Sequence, residues 1–396
     1  MLPAEIGKLI TQRRWLRFTP DRLISGLLVL EGLLLLSEHF RWFAFNQHKG
    51  WTVLIAVASV DVAMLLMLLW FFVSLIFRWR FQFSIRSLLV LTVAVAILCS
   101  WLATEMKKAR TQKEAVEEIK KLGGFVLDDF HLTRFVIDRP ACLRRLFGDD
   151  FFGTVMLVSF PDGHRITDDE LAYLDGFSRV WSVSLRGTKI TDAGLIHLRG
   201  ASELQELNLM DTSVTGEGLA QLRHPPHLEV LNLWGTKITD ANLAQLANFP
   251  ELRELCLYST RITDAGLVHL KGLSRLESLD IGATLITDAG LVHLEGLTNL
   301  ESLAFVYSRL SDVGMEHLKG LIQLQRLDLN GTQVTDAGLK HLEGLAQLQG
   351  LNLGQTQVTY AGVRALQKAL PKCKIEWKRP IRDERQNPAP PAQPGG

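Results

Sequence analysis

Large apolar residues recur at fixed intervals through the second half of the chain. The phrase Ile-Thr-Asp-Ala-Gly-Leu, or a close variant, returns every 24 residues. Its units begin at Ile166, Ile190, Val214, Ile238, Ile262, Ile286, Leu310 and Val334, and a truncated unit begins at Val358. A strict period of this length indicates a solenoid, in which each unit buries its apolar face against its neighbours.

Each unit predicts one strand and one short helix. In the second unit, Leu207 and Leu209 alternate with polar residues as in a strand. Further along, Leu267, Leu270 and Leu273 recur every three residues and indicate a short helix with one buried side. The Thr or Asp before Ala-Gly-Leu is a helix N-cap residue. We therefore predict an α/β solenoid with parallel strands on its concave face, short helices on its convex face and one continuous core.

The motif LxxLxLxxT followed by ITDAGLxxL resembles the leucine-rich repeat superfamily. The resemblance covers residues 166 to about 377 and is nearest to the cysteine-containing subclass of F-box substrate receptors, with Thr at the Cys position. It also extends to bacterial membrane-anchored proteins with this repeat. It implies the solenoid fold and an interaction role, and homology could suggest an F-box-like substrate receptor. No F-box-like helical module precedes the repeats, which disfavours that role.

Three apolar stretches precede residue 104 and predict transmembrane helices at about 23–43, 51–77 and 85–103. A helix needs about 20 residues to cross a bilayer. Glu31 and Asp61 lie within the first two stretches. Such carboxylates mark an ion path or simply face a neighbouring helix, and the sequence leaves both open. The fold class is thus a solenoid preceded by a three-helix transmembrane segment, with lipid bilayer contact through these helices.

The distribution of Lys and Arg predicts the orientation of that segment. Basic residues cluster before the first stretch and between the second and third, whereas the first loop holds only Arg41 and Lys49. The positive-inside rule then places the repeats on the exoplasmic side of an integral membrane protein. The basic residues after the third stretch, from Lys107 to Lys113, point the other way.

The remaining segments complete the predicted organisation. After a membrane anchor over residues 1–103, residues 104–122 predict a juxtamembrane helix and residues 123–165 an N-terminal cap. The repeats fill residues 166–377, and the Pro-rich tail at 378–396 is expected to be disordered.

Composition narrows the chemistry. The chain has 396 residues with 43 Lys and Arg against 42 Asp and Glu, a balance that disfavours nucleic acid as a partner. Cys99, Cys142, Cys256 and Cys373 form no CxxC pair, and we interpret them as free thiols. Signatures for nucleotide binding, serine hydrolysis and zinc proteolysis are missing from the sequence. We therefore expect neither an enzyme nor a cofactor.

Three polar residue types also follow the repeat. Histidines share one position on the predicted outer flank, where they could bind a metal or merely be solvated; they are His197, His269, His293, His317 and His341. Aspartates in the Thr-Asp phrase predict helix capping, with calcium as the alternative; they are Asp168, Asp192, Asp240, Asp264, Asp288, Asp312 and Asp336. Threonines after the strands, with Ser308 replacing one, predict hydrogen bonds to the adjacent backbone.

The inner-face positions vary while the leucines stay fixed. The residue after LxL runs Arg186, Met210, Trp234, Tyr258, Gly282, Val306, Asn330 and Gly354. The preceding outward position runs Ser184, Asn208, Asn232, Cys256, Asp280, Ala304, Asp328 and Asn352. Arg186, Met210, Trp234 and Tyr258 predict a partner-binding patch, because Trp, Tyr and Arg dominate interface energetics. The alternative is that they cover the sheet without a partner.

Two functions are consistent with this sequence. The first is a membrane-anchored, non-catalytic scaffold or receptor, whose concave face binds a protein or polymer. The second is a ligand-sensing or transport-associated membrane protein, whose repeats receive the ligand.

Overall fold

The computed structural model describes residues 85–128, 155–161, 166–222 and 227–377. The chain divides into two compact units, residues 1–113 with 133–153 and residues 114–132 with 154–396. Of the first unit only residues 85–113 are described. The second unit contains all the repeats.

A single helix, α1 (Ile85–Lys121), covers both the third predicted span and the predicted juxtamembrane helix. Its apolar first half continues without a break into the charged stretch Thr104 to Lys121. Among the described residues, no helix is both long enough and apolar enough for a bilayer crossing. The predicted transmembrane segment is therefore corrected at 85–103, while the spans at 23–43 and 51–77, with Glu31 and Asp61, lie outside the described residues.

The same finding overturns the predicted localisation as an integral membrane protein with exoplasmic repeats. That prediction combined three apolar stretches with the distribution of Lys and Arg. The third stretch is one end of a helix that is 37 residues long and ends in Lys120 and Lys121. The lipid contact and the transport-associated function, which depended on that segment, gain no support from the described residues.

One sheet runs through the second unit, and its strands follow chain order. They are β1 (Phe125–Asp128), β2 (Val155–Ser159), β3 (Ser182–Ser184), β4 (Glu206–Asn208), β5 (Val230–Asn232), β6 (Glu254–Cys256), β7 (Ser278–Asp280), β8 (Ser302–Ala304), β9 (Arg326–Asp328), β10 (Gly350–Asn352) and β11 (Lys374–Glu376). Strand β1 pairs antiparallel with β2. From β2 onward every pair is parallel. Paired residues are 25 positions apart between β2 and β3 and 24 positions apart in every later pair, as Leu207 opposite Leu231 shows.

The leucines of all the repeats form one buried cluster, which confirms the predicted continuous core. The middle residue of each strand from β3 to β10 points into it, and Leu207, Leu231 and Leu255 are at most 2% exposed. The flanking strand residues point the other way. We call the sheet surface opposite the leucine core, predicted to be concave, the open face.

The outer segments, which the spacing predicts as short helices, are mostly 3₁₀ helices. The 3₁₀ helices are Asp168–Gly176, Gly194–Leu198, Gly218–Gln221, Ala244–Asn248, Gly266–Gly272, Asp288–His293, Gly314–Leu318 and Lys340–Leu342. The α-helices are α2 (Asp240–Leu243), α3 (Asp336–Leu339) and α4 (Tyr360–Ala369). Leucines recur every three residues, and three residues complete one 3₁₀ turn, so this helix keeps them on one face.

The aspartates join neighbouring repeats instead of capping their own helices. Asp264 Oδ1 accepts the backbone N–H of Thr287 at 2.7 Å, and Oδ2 accepts the Thr287 hydroxyl at 2.6 Å. The carboxylate also lies where a Cβ on Gly290 would be. We call this Asp, Thr and Gly arrangement the Asp–Thr clamp. It explains why Gly follows Thr-Asp-Ala in the motif.

Two repeats depart from the clamp, and both replace it in the same way. Gly216 occupies the position at which other repeats have the clamp Asp. In the following repeat, Asn242 occupies the position at which other repeats have the clamp Gly. Asn242 Oδ1 accepts the Thr239 hydroxyl at 2.7 Å and the Thr239 N–H at 3.3 Å. At the first repeat, Glu170 accepts the same two hydrogens from Thr167. Among the described residues, a Thr that lacks a clamp Asp thus donates its N–H and its hydroxyl hydrogen to the side chain three residues later.

Both ends of the core are covered. At the amino-terminal end, Ile119 of α1 is fully buried, and Gly124 lies so close to Ile119 and Phe160 that a Cβ would overlap both side chains. At the other end, Trp377 packs against the core, and its Nε1–H donates to the Val358 carbonyl oxygen at 3.0 Å.

Candidate functional site

The four residues of the predicted patch follow four consecutive strands, β3 to β6. These strands pair directly with one another, so Arg186, Met210, Trp234 and Tyr258 stand at equivalent positions of neighbouring repeats. Arg186 is exposed, and the other three are half-buried. The side chains of the patch are therefore less exposed than their position after the last buried leucine predicts.

Trp234 and Tyr258, both half-buried, pack against each other. Their ring centroids lie 4.3 Å apart, and the ring planes are tilted by 45°. Offset or tilted packing suits the electrostatics of aromatic rings. Each ring therefore stiffens the other, and the pair forms an aromatic ledge on the open face.

Asparagines on the strands orient the patch backbone. Asn208 Oδ1 accepts the N–H of Met210, and Asn232 Oδ1 accepts the N–H of Trp234, both at 3.0 Å. Such side-chain to backbone bonds fix the turn after the strand. Cys256 takes the equivalent place before Tyr258, and burial raises its pKa to about 11, so it is a thiol at neutral pH.

The residue after this patch position has a left-handed backbone in every repeat. Its φ is 50–56° at Asp211, Ser259, Ala283, Tyr307 and Gln355, and 65–75° at Gly187, Gly235 and Gly331. Most non-glycine residues occupy this region at an energetic cost. The sharp turn follows the strand in each of these repeats, and the next residue is the buried Thr or Ser of the turn.

Tyr258 and Tyr307 both lean over a glycine of the next repeat. The Tyr258 ring covers Gly282 and the Tyr307 ring covers Gly331, so a Cβ at either glycine would overlap the ring. Farther along, the Tyr307 hydroxyl oxygen accepts a hydrogen bond from Gln355 Nε2 at 3.3 Å. Burial, and then the Asp280 carboxylate, raise the pKa of Tyr258.

Two carboxylates flank a small residue between these tyrosines. Asp280, Ala304 and Asp328 end β7, β8 and β9 and lie opposite one another in register. Asp280 Oδ1 accepts the Gly282 N–H at 2.9 Å, and Asp328 accepts from the Asn330 N–H at 2.9 Å and Asn352 Nδ2 at 3.1 Å. Burial, and then the Asp328 charge, raise the pKa of Asp280. In the sequence these residues are variable positions of the repeat, and the run Asp-Ala-Asp at one repeat position is the signal that could have found them.

The histidines lie on the outer flank, half-buried rather than fully solvated. His197 Nδ1 is 3.0 Å from Asp175 Oδ1, and His317 Nδ1 is 2.6 Å from Glu295 Oε1. Within the described ranges, no group of three or more His, Cys, Asp or Glu is placed to hold a metal ion. The aspartates for which calcium binding was the alternative use their carboxylate oxygens to accept the hydrogen bonds of the Asp–Thr clamps.

Comparison with known proteins supports the repeat assignment. Residues 323–342 match the family model described as Leucine Rich repeat. Internalin C2 of Listeria monocytogenes is 24% identical, covering 52% of this chain and 84% of that one with a TM-score of 0.40. Internalin F of the same organism is 22% identical (55% and 72% covered, TM-score 0.38).

A leucine-rich repeat protein of Leptospira interrogans is 18% identical, with 52% of this chain and 62% of that chain covered and a TM-score of 0.35. A search of curated proteins finds no match. The recognition of leucine-rich repeats is confirmed.

Proposed function

We propose that this leucine-rich repeat chain is a non-catalytic interaction protein whose open face binds a protein or polymer partner. The observation that carries the proposal is the aromatic ledge of Trp234 and Tyr258. Large, rigid rings lose little conformational entropy on binding and bury much apolar area, so they serve as interface anchors.

The neighbourhood of the ledge supports the same function. Met210 adds a polarizable apolar side chain on one side, and exposed Arg186 lies beyond it. Arg and aromatic residues are enriched at interface cores. The absence of enzyme signatures from the sequence fits a binding protein rather than a catalyst.

The test is affinity capture by the full chain, followed by measurement of the captured partner's dissociation constant. Trp234→Ala should weaken binding by at least about 2 kcal/mol, the level of an interface hot spot. It should also lower the free energy of unfolding by about 1 kcal/mol, because the ring contact with Tyr258 is lost.

Tyr173→Ala is the matched control, since Tyr173 is an exposed aromatic residue of the outer helix Asp168–Gly176. It should leave the dissociation constant nearly unchanged. Equal affinity of the Trp234→Ala variant and the original chain would show that the partner binds elsewhere.

A further inference from the structure

Farther along the open face, past the aromatic ledge, Asp280 and Asp328 stand on either side of Ala304. Parallel strands lie about 4.8 Å apart, so the two carboxylate-bearing strands are separated by about 10 Å. The methyl group of Ala304 is the only side chain on the intervening strand position. The three residues thus form a notch with a shallow apolar floor and an acidic wall on each side.

Aromatic rings border the same notch. Tyr258 lies over Gly282, which is two residues after Asp280 on the chain, and the charge of Asp280 contributes to the raised pKa of Tyr258. Tyr307 is three residues after Ala304, is 52% exposed and extends across Gly331. A cation between two carboxylates would therefore also meet aromatic surface, which attracts cations through the ring quadrupole.

The carboxylates receive hydrogen bonds but no cationic side chain. Their donors are backbone N–H groups, the Asn352 amide and, at 3.9 Å, the Cys256 thiol. Arg326 lies two residues before Asp328, is exposed, and takes part in none of the ion pairs of the described residues. The arrangement leaves partly buried negative charge with hydrogen-bond donors but without a cationic partner, which a cationic side chain of the binding partner would supply.

We propose that this notch, which we call the Asp280–Asp328 notch, binds an arginine side chain of the partner protein. The inference rests on the proposed function, because it names the chemistry of the partner at the same face. A planar guanidinium presents donors in several directions in one plane, so it can hydrogen-bond carboxylates on opposite sides while its face lies against a tyrosine ring. A lysine ammonium is a compact point charge and matches two separated walls less well.

The chain itself supplies the substitution that tests the notch. Asn208, Asn232 and Asn352 occupy the position equivalent to Asp280 and Asp328, and their Oδ1 atoms accept the same backbone N–H. Asp280→Asn and Asp328→Asn therefore keep the turn hydrogen bonds and remove the charge; Asp328→Asn also loses the bond that Asn352 Nδ2 donates to Asp328. Unfolding by urea checks that the double variant is folded at neutral pH.

The probe is N-acetyl-arginine methylamide, titrated into the full chain labelled with ¹³C at alanine methyl groups. The Ala304 methyl signal, assigned by its loss in Ala304→Gly, should shift saturably. The neutral citrulline analogue has the same shape and should cause no such shift. The Asp280→Asn/Asp328→Asn variant should weaken arginine binding by about tenfold or more, as expected for charge-assisted hydrogen bonds. Arg326→Gln should strengthen it or leave it unchanged.

Three outcomes would overturn the proposal: no Ala304 shift up to the solubility limit of the probe, equal shifts with citrulline, or unchanged binding by the double variant. Failure here is separable from failure of the proposed function. A captured partner that is sensitive to Trp234→Ala but not to the double Asn variant would retain the binding role and reject the arginine notch.

Discussion

At the scale of single residues, the turn hydroxyls show how one atom sets the local energetics. Seven threonines, at 188, 212, 236, 260, 284, 332 and 356, donate their hydroxyl hydrogen to a carbonyl oxygen three residues earlier, at 2.6–2.7 Å. This confirms the predicted backbone bonding of these threonines. Ser308 occupies the same buried position, yet its Oγ has no hydrogen-bond partner among the described residues.

Ser308→Thr should therefore stabilise the chain. The β-branched side chain is held in fewer rotamers, which favours the hydrogen bond to the Phe305 carbonyl oxygen that the other repeats form. A satisfied buried hydroxyl and one added buried methyl group are together worth about 1 kcal/mol or more. Urea unfolding measures the change. The reverse substitution, Thr284→Ser, is the control and should destabilise; a destabilising Ser308→Thr would contradict this account.

At the scale of elements, the Asp–Thr clamp ties each outer segment to the next. Seven aspartates, at 168, 192, 240, 264, 288, 312 and 336, each accept two hydrogens from the Thr or Ser 23 residues later. The short 3₁₀ helices make few hydrogen bonds of their own, so contacts between repeats hold them in place. Gly216 and Asn242 are the exception, because Asn242 serves Thr239 within one repeat.

Gly216→Asp and Asn242→Gly should each lower the free energy of unfolding when made alone. The double variant should lose less stability than the sum of the two single losses. Asn242→Gly leaves Thr239 without its acceptor, at a cost of about 1 kcal/mol. Gly216→Asp alone places a carboxylate against the Asn242 side chain, and Gly216 has a φ of 99° that favours glycine. Together the two changes recreate a clamp. A double-mutant cycle in urea should show a favourable coupling of about 1 kcal/mol or more; additive losses would refute the compensation.

At the scale of the whole repeat array, the free energy of unfolding is approximately a sum of contributions from the repeats and from the interfaces between neighbouring repeats. Each repeat contacts mainly the one before and the one after, so an unprotected end can fray without unfolding the rest. Trp377 protects the last described turn: it covers the core, bonds Val358 and lies 6.1 Å from Tyr360 between ring centroids. The end caps therefore set where unfolding begins.

Trp377→Ala should loosen the carboxyl-terminal repeats first. Loss of a partly buried tryptophan costs about 2–3 kcal/mol, and that cost falls on the nearest repeats. Hydrogen exchange followed by mass spectrometry should show faster exchange in residues 334–377 and little change in 166–222. Tyr360→Ala, at a position 62% exposed, is the milder control. Uniform acceleration along the array would mean that the repeats unfold as one unit.

The sequence predicted what the leucine spacing determines: parallel strands, their register and the shared core. It could not distinguish 3₁₀ from α geometry, because a spacing of three fits both over one or two turns. Nor could it show that Asp264 bonds Thr287, since partners 23 residues apart meet only through stacking. The transmembrane prediction at 85–103 was wrong because an apolar window was separated from the charged helix that continues it. The patch residues could be recognised in the sequence, but the Trp234–Tyr258 contact and the Asp280–Asp328 notch depend on side-chain direction.

The forward reach of the clamp has a consequence for how a gene for such a chain can gain or lose repeats. Removing residues 262–285 would bring Asp240 against Gly290, a pairing that the other junctions already use. Removing residues 214–237 would instead bring Asp192 against Asn242, where the carboxylate and the amide compete for one space. Most junctions are thus interchangeable, whereas the one between Gly216 and Asn242 is not. Rearrangements of the array that keep the fold must carry these two residues together.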